Sequence, residues 1–235
     1  MQFIKDWYLD VNKERVLIHY PKGFRACSSA VFGGGISEAK WILNQYVGKS
    51  YLSDNPKEDI RRFVLKNQAM PEQTIGLLTA ACVEDLGVSA LKGDEFELCA
   101  IVTTGVGNAA RAGTVEQRYN AYAAGTINTV VFIDGNLTDG ALVNAVITAT
   151  EAKTIALAEM KISDGEGRGA TGTTTDAIVV AATCDQSRYQ SVHPYAGTAT
   201  NLGHAIACAV RDATRMALTH EQNRKERRSA KKLWK

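Results

Sequence analysis

Apolar positions along the chain follow two patterns. Alternating or short continuous apolar runs predict strands at 15–19, 26–32, 74–81, 97–103, 126–133 and 177–182. Spacings of three and four predict helices at 37–46, around 59–66, at 139–160 and from 201 to about 222. Strands outnumber helices and do not alternate strictly with them, which argues against a doubly wound parallel sheet. The expected fold class is α+β, a layered sandwich of mixed or antiparallel sheets with buried helices and a long basic C-terminal helix.

The stretch DGALVNAVITATEAKTIALAEM (139–160) carries only Asp139, Glu151, Lys153 and Glu159 as charges. A helix apolar on nearly every side is expected to be buried on nearly every side. Val143, Ile147, Glu151, Thr154 and Ala158 share one face, and Leu142, Val146, Ala149, Lys153, Ala156 and Met160 share another. Glu151 and Lys153 interrupt these stripes. A lone buried charge is costly, so either both have partners inside or one points into a polar cavity. Asp139 is the expected N-cap.

Composition narrows the class. With 235 residues, 45% hydrophobic and 22% charged, the chain can fill a real core and is not a disordered one. No run approaches the roughly 18 to 20 apolar residues of a bilayer crossing. Asp6, Asp10 and Glu14 break up any signal-like start. A cytoplasmic protein with no membrane partner is expected. The net charge of +2 conceals an asymmetry, because seven of the 27 Lys and Arg lie from Arg224 onward against one of the 25 acids. Residues 1–223 are expected to form a single domain and 224–235 a basic tail. The rest of the chain is mildly acidic, so the tail reads as a solvated helix end and no nucleic-acid partner is expected. Five scattered cysteines lack a C-x-x-C and four histidines lack H-E-x-x-H or H-x-H, so no metal site is expected. P-loop and G-x-S-x-G motifs are absent from the sequence, and the GGG run at 33–35 is not G-x-G-x-x-G.

Four loops are unusual: TTGVGNAARAG (103–113), GTIN (125–128), ATGTTTD (170–176) and YAGTATNLG (195–203). Glycine lets backbone N–H groups approach closely, while Thr, Asn and Asp supply donors and acceptors. Any one of them reads as an ordinary turn. Together they suggest one shared polar site.

With SSAVFGGG, WILNQYV and LTDGALVNAVITATEAKTIAL, these blocks resemble the adenosylcobinamide amidohydrolase (CbiZ) family, in order from about residue 14 to residue 212. ATEAKT followed about twenty residues later by ATGTTTD is the specific part; Thr174 and the SDGEGRG stretch at 163–169 are small departures. A looser similarity to DmpA/ArgJ-type hydrolases suggests a βααβ sandwich, with helices between two sheets. The resemblance implies an enzyme of corrinoid salvage that hydrolyses the amide between aminopropanol and the corrin propionate arm of adenosylcobinamide. Its products would be adenosylcobyric acid and (R)-1-amino-2-propanol. Cobalt would arrive as part of the substrate, with no separate cofactor. The partner is then a corrinoid small molecule, and a homo-oligomer is left open. The alternative is a non-catalytic corrinoid carrier.

Amide hydrolysis needs a nucleophile, donors for the oxyanion and a proton for the departing amine. The catalytic candidates are Asn108, Glu151, Asp176 and Thr104. Asn108 and Asn128 offer amide donors for the oxyanion, and Glu151 and Asp176 are the carboxylate bases. The nucleophile is Thr104, Thr171, Thr173 or an activated water. Ser28 and Ser29 are further candidates or shapers of a turn. Substrate-binding candidates are Asn128, Lys153, Thr171, Thr173, Tyr195 and Thr198.

Overall fold

A computed structural model describes residues 4–114 and 125–233. In chain order the strands are β1 (Tyr8–Asn12), β2 (Arg15–Ser28), β3 (Gly35–Tyr46), β4 (Thr74–Thr79), β5 (Gly87–Lys92), β6 (Glu97–Thr104), β7 (Ala109–Ala110), β8 (Ile127–Asp134), β9 (Asn136–Leu137), β10 (Gly172–Thr173), β11 (Ala177–Ala182) and β12 (Val192–His193). The helices are α1 (Pro56–Lys66), α2 (Asp139–Glu159) and α3 (Asn201–Leu233). Eight strands form one mixed sheet in the order β4-β3-β2-β11-β8-β6-β5, with β1 added to β2. β11 runs parallel to β8 and β4 parallel to β3, while the other neighbours are antiparallel.

The long strand β2 lets this sheet fold over on itself. Its first half pairs with β1, and its second half, Arg25–Ser28, pairs with β11. Between them the pairing with β3 slips between His19 and Phe24, at a bulge where Gly23 takes φ +85°. The β2–β4 half then faces β6, β8 and β11. Val16, Ile18, Phe24, Ile42, Ile75 and Leu77 from one side pack with Cys99, Ile101, Val130, Phe132 and Val179 from the other. Phe132 lies at the middle, with the rings of Trp7 and Phe24 5.4 Å away and that of Tyr20 5.8 Å away.

Alternate residues of these strands point outward, and each outer face carries helices. Ile60 and Val64 of α1 pack on Leu17 and Leu43. α2 and α3 cover Leu98, Ala100, Val102, Val131, Ile133 and Val180. The expected layered α+β sandwich forms, but its layers run helix, sheet, sheet, helix. The βααβ order, with helices between sheets, does not occur. The reason is visible on α2, where Ala141, Leu142, Ala145, Ala149, Ala152 and Ala156 are buried while Val143, Ile147 and Ile155 are exposed. This helix is long and apolar enough to cross a membrane by length and composition, and one stripe of it is packed into the core.

Local chemistry sets the helix ends. Asn55 caps α1 by accepting from Glu58 N at 3.2 Å, with Pro56 behind it. Thr138, not Asp139, caps α2, its hydroxyl accepting from Ala141 N at 3.1 Å. Asp139 sits in the first turn and receives Arg25 Nε at 2.5 Å and Nη2 at 2.7 Å. The segment 37–46, expected to be helical, is the strand β3. α3 continues unbroken through the 223/224 boundary to Leu233, so the basic tail extends it, with residues 225–230 exposed; residues 234–235 lie outside the described residues.

Candidate active site

The ends of β3 and β4 and the starts of β8 and β11 meet at one mouth of the sandwich, around a cleft of about 520 Å³. One wall is apolar: Val31, Val47, Leu52, Leu77 and Leu78. The other is polar, with Thr126 and Asn128 from the start of β8 and Thr175 and Asp176 from the turn before β11. Ser29 and Tyr51 complete the rim. Burial pushes the Tyr51 phenol up from its ordinary value, and its hydroxyl donates to Asp59 Oδ2 at 2.8 Å. Leu52, 84% exposed, stands over the opening.

The floor is a chain of uncharged side chains running between the two sheet layers. Asn128 Nδ2 donates to Asn44 Oδ1 at 2.8 Å and to Leu78 O at 2.9 Å. Asn44 Nδ2 donates in turn to Thr103 Oγ1 at 3.0 Å. Asn44, Thr103 and Asn128 are all buried. Their polar groups are tolerable inside a sandwich because each is hydrogen-bonded to the next. Asn128 therefore has no N–H left for an oxyanion, which corrects the donor role expected of it.

Asp176 ties three elements together. Its Oδ1 accepts from Ile127 N and Thr173 N, each at 3.1 Å, and from the Thr173 hydroxyl. Its Oδ2 accepts from Lys153 Nζ of α2 at 2.5 Å. The side chains of this ion pair are 12% and 19% exposed. A Cβ on Gly172 would collide with Asp176 Oδ2 and stand 2.9 Å from Lys153 Nζ, so glycine is what lets the pair close. These bonds clamp the 171–176 turn to β8 and α2.

The other candidates divide. Asn108 is buried behind Gly125, its Nδ2 donating to Thr174 Oγ1 at 2.7 Å and its Oδ1 without a partner among the described residues. Thr104 is buried, and its hydroxyl also has no partner among the described residues. Neither lines the cleft. Thr171 accepts from Ala112 N at 2.8 Å and serves the turn. Glu151 is exposed on the outer face of α2, which overturns the buried carboxylate expected there. It does not pair with Lys153, because residues two apart on a helix do not face each other. Tyr195, 69% exposed, and Thr198 lie on the 195–201 loop, which α2 holds through Asn144 and Thr148 and which does not reach the cleft. Three of the four polar loops thus converge: 103–108, 125–128 and 171–176. Asn44 is the buried partner that the sequence reading missed, along with the apolar wall.

A polar floor facing an apolar wall, fed by loops from both sheet layers, is the arrangement expected of a ligand-binding cleft. The sequence profile of the adenosylcobinamide amidohydrolase family matches residues 4–226. The adenosylcobinamide amidohydrolase of Methanosarcina mazei is 35% identical over 192 residues, covering 80% of this chain and 86% of its own length. An uncharacterised protein of Methanocaldococcus jannaschii is 32% identical over 205 residues, 78% of each chain. The adenosylcobinamide amidohydrolase of Halobacterium salinarum is 40% identical over 94 residues, 40% of this chain and 36% of its own. The chain belongs to the adenosylcobinamide amidohydrolase family, a family of enzymes.

Proposed function

We propose that the protein hydrolyses the amide joining aminopropanol to the propionate arm of the corrin ring in adenosylcobinamide. The products are adenosylcobyric acid and (R)-1-amino-2-propanol, in the salvage of corrinoids. Cobalt enters as part of the substrate. The observation that carries this reading is that two of the family's polar blocks, 125–128 and 170–176, meet at one cleft, with the 103–108 block bonded behind them through Asn108 and Thr174. Amides and hydroxyls on one wall suit the carboxamide fringe of a corrin, and Val31, Leu52 and Leu77 suit its apolar face.

In this reading the nucleophile is water. Thr104 is buried away from the cleft, and Thr173 spends its proton on Asp176. Ser29 lines the cleft and its Oγ accepts from Ile178 N at 3.0 Å, which leaves its O–H to donate to the developing oxyanion. The Asp176–Lys153 clamp holds the 171–176 turn against β8, so that the reacting groups keep their spacing.

The test is direct. Purified protein incubated with adenosylcobinamide in the presence of chelator should yield adenosylcobyric acid by chromatography. Tight binding without product would mean a corrinoid carrier instead.

A further inference from the structure

The carbonyl of Leu78 decides how the amide of Asn128 is turned. A carbonyl oxygen only accepts, so the Asn128 atom 2.9 Å from it is Nδ2. The same nitrogen lies 2.8 Å from Asn44, whose facing atom must then be Oδ1. That choice turns Asn44 Nδ2 toward Thr103 Oγ1 at 3.0 Å. Each link fixes the next, and the chain has one consistent reading. Both N–H groups of Asn128 are used. Among the described residues its Oδ1 has only the Thr126 hydroxyl within reach, at 3.4 Å, and that hydroxyl's single proton is better placed on Thr175 O at 2.7 Å. A cleft-lining side chain that is almost wholly buried is left with one acceptor and no committed donor.

We infer that Asn128 Oδ1 accepts the N–H of the amide to be cleaved, and that Asn44 is the positioning residue that keeps it turned that way. This rests on the hydrolase reading above. The cleavable amide is secondary and brings a single N–H. In a trans amide that N–H points opposite to the carbonyl, so an acceptor for it also dictates where the carbonyl oxygen must lie. An ester has an oxygen there and no proton to give. A buried acceptor facing it stays unpaired, and the site discriminates against the ester.

The experiment compares kcat/KM for adenosylcobinamide and for its analogue with oxygen in place of that N–H. Asn128→Ala should lower the amide value about 10- to 100-fold and the ester value less than about threefold, as expected for one lost hydrogen bond. Asn44→Leu should shift the amide-to-ester ratio the same way by a smaller factor. Asn44→Asp, whose carboxyl still faces Asn128 Nδ2 with an acceptor, should restore the ratio. If Asn44→Leu does not fold, Thr103→Val removes the far end of the chain and should also lower the ratio. Side-chain 1H–15N correlations should show slowly exchanging amide protons on Asn128, lost in the Asn44→Leu or Thr103→Val protein. Parallel loss on both substrates in folded Asn128→Ala overturns the inference while wild-type turnover upholds the hydrolase. Absence of wild-type turnover removes both.

Discussion

The parallel pair β8 and β11 ends in a carboxylate paired to a cation at both extremities, about 23 Å apart by strand length. At the starting end Asp176 meets Lys153, and at the finishing end Asp134 meets Arg188. The two ends differ in what surrounds the pair. Asp134 is 0% exposed and takes the Thr183 hydroxyl at 2.8 Å, while Arg188 reaches on to Glu97 at 3.5 Å and Glu97 to Lys92 at 2.7 Å. Burial pushes Glu97 up, but the hydrogen bonds and charge from Lys92 and Arg188 outweigh it and hold it below its ordinary value. The short β9–β12 ladder lies over that end. At the other end Asp176 borders open space, amides and hydroxyls. Asp134 is sealed inside at one end, and at the other an uncharged floor is left open where a ligand can enter.

The comparison breaks most easily at the sealed end. Asp134→Ala leaves Arg188 with Glu97 as its one carboxylate among the described residues and should cost about 3 kcal/mol of stability, the low side of the range for a broken buried pair because Arg188 is partly exposed. Thermal unfolding should show it. An unchanged midpoint would mean that the sealed pair is only tolerated.

At the open end the larger loss should fall on turnover. Lys153→Met releases Asp176 from α2, and Ser29→Ala removes the free hydroxyl. Each should lower kcat by about 100-fold, with the fold intact by circular dichroism. Wild-type rates in both would take the clamp and the hydroxyl out of the mechanism. Gly172→Ala sharpens the point without deleting any functional group. Its methyl would wedge between Asp176 and Lys153, and turnover should fall about tenfold, with a smaller change in KM. A KM effect alone would indicate that the turn serves binding rather than chemistry.

The open end was partly legible in the sequence. GTIN and ATGTTTD announced themselves as Gly/Thr turns because few other residues combine tight backbone with hydroxyl and amide groups. Asn44 was hidden for a physical reason. β3 is covered on both faces, Ala39 and Ile42 packing inward and Trp41 and Leu43 toward α1, so its alternation is erased and its apolar spacing imitates a helix. Glu151 misled in the opposite direction. The stripe Val143, Ile147, Glu151 and Ile155 is mostly apolar yet faces outward, and composition cannot tell an exposed valine from a buried one. The mixed sheet and the helix-outside layering depend on the fold-over at Gly23, which no local pattern specifies.

The smallest effect joins the two halves of the sandwich at the start of α2. Arg25 of β2 grips Asp139 with two hydrogen bonds, and these hold the Asp139 carboxyl below its ordinary value. A carboxyl depressed in the folded state adds stability that is present above the unfolded pKa, near 3.9, and lost as pH falls through the lower folded value. Asp139→Asn should therefore be slightly less stable than wild type at pH 7, and the two should converge below about pH 4. The pair is exposed to solvent, so added salt should narrow the gap at neutral pH as well. A gap that stays constant as the pH falls would mean that the Asp139 charge contributes nothing and that the start of α2 is held by the non-titrating Thr138 cap.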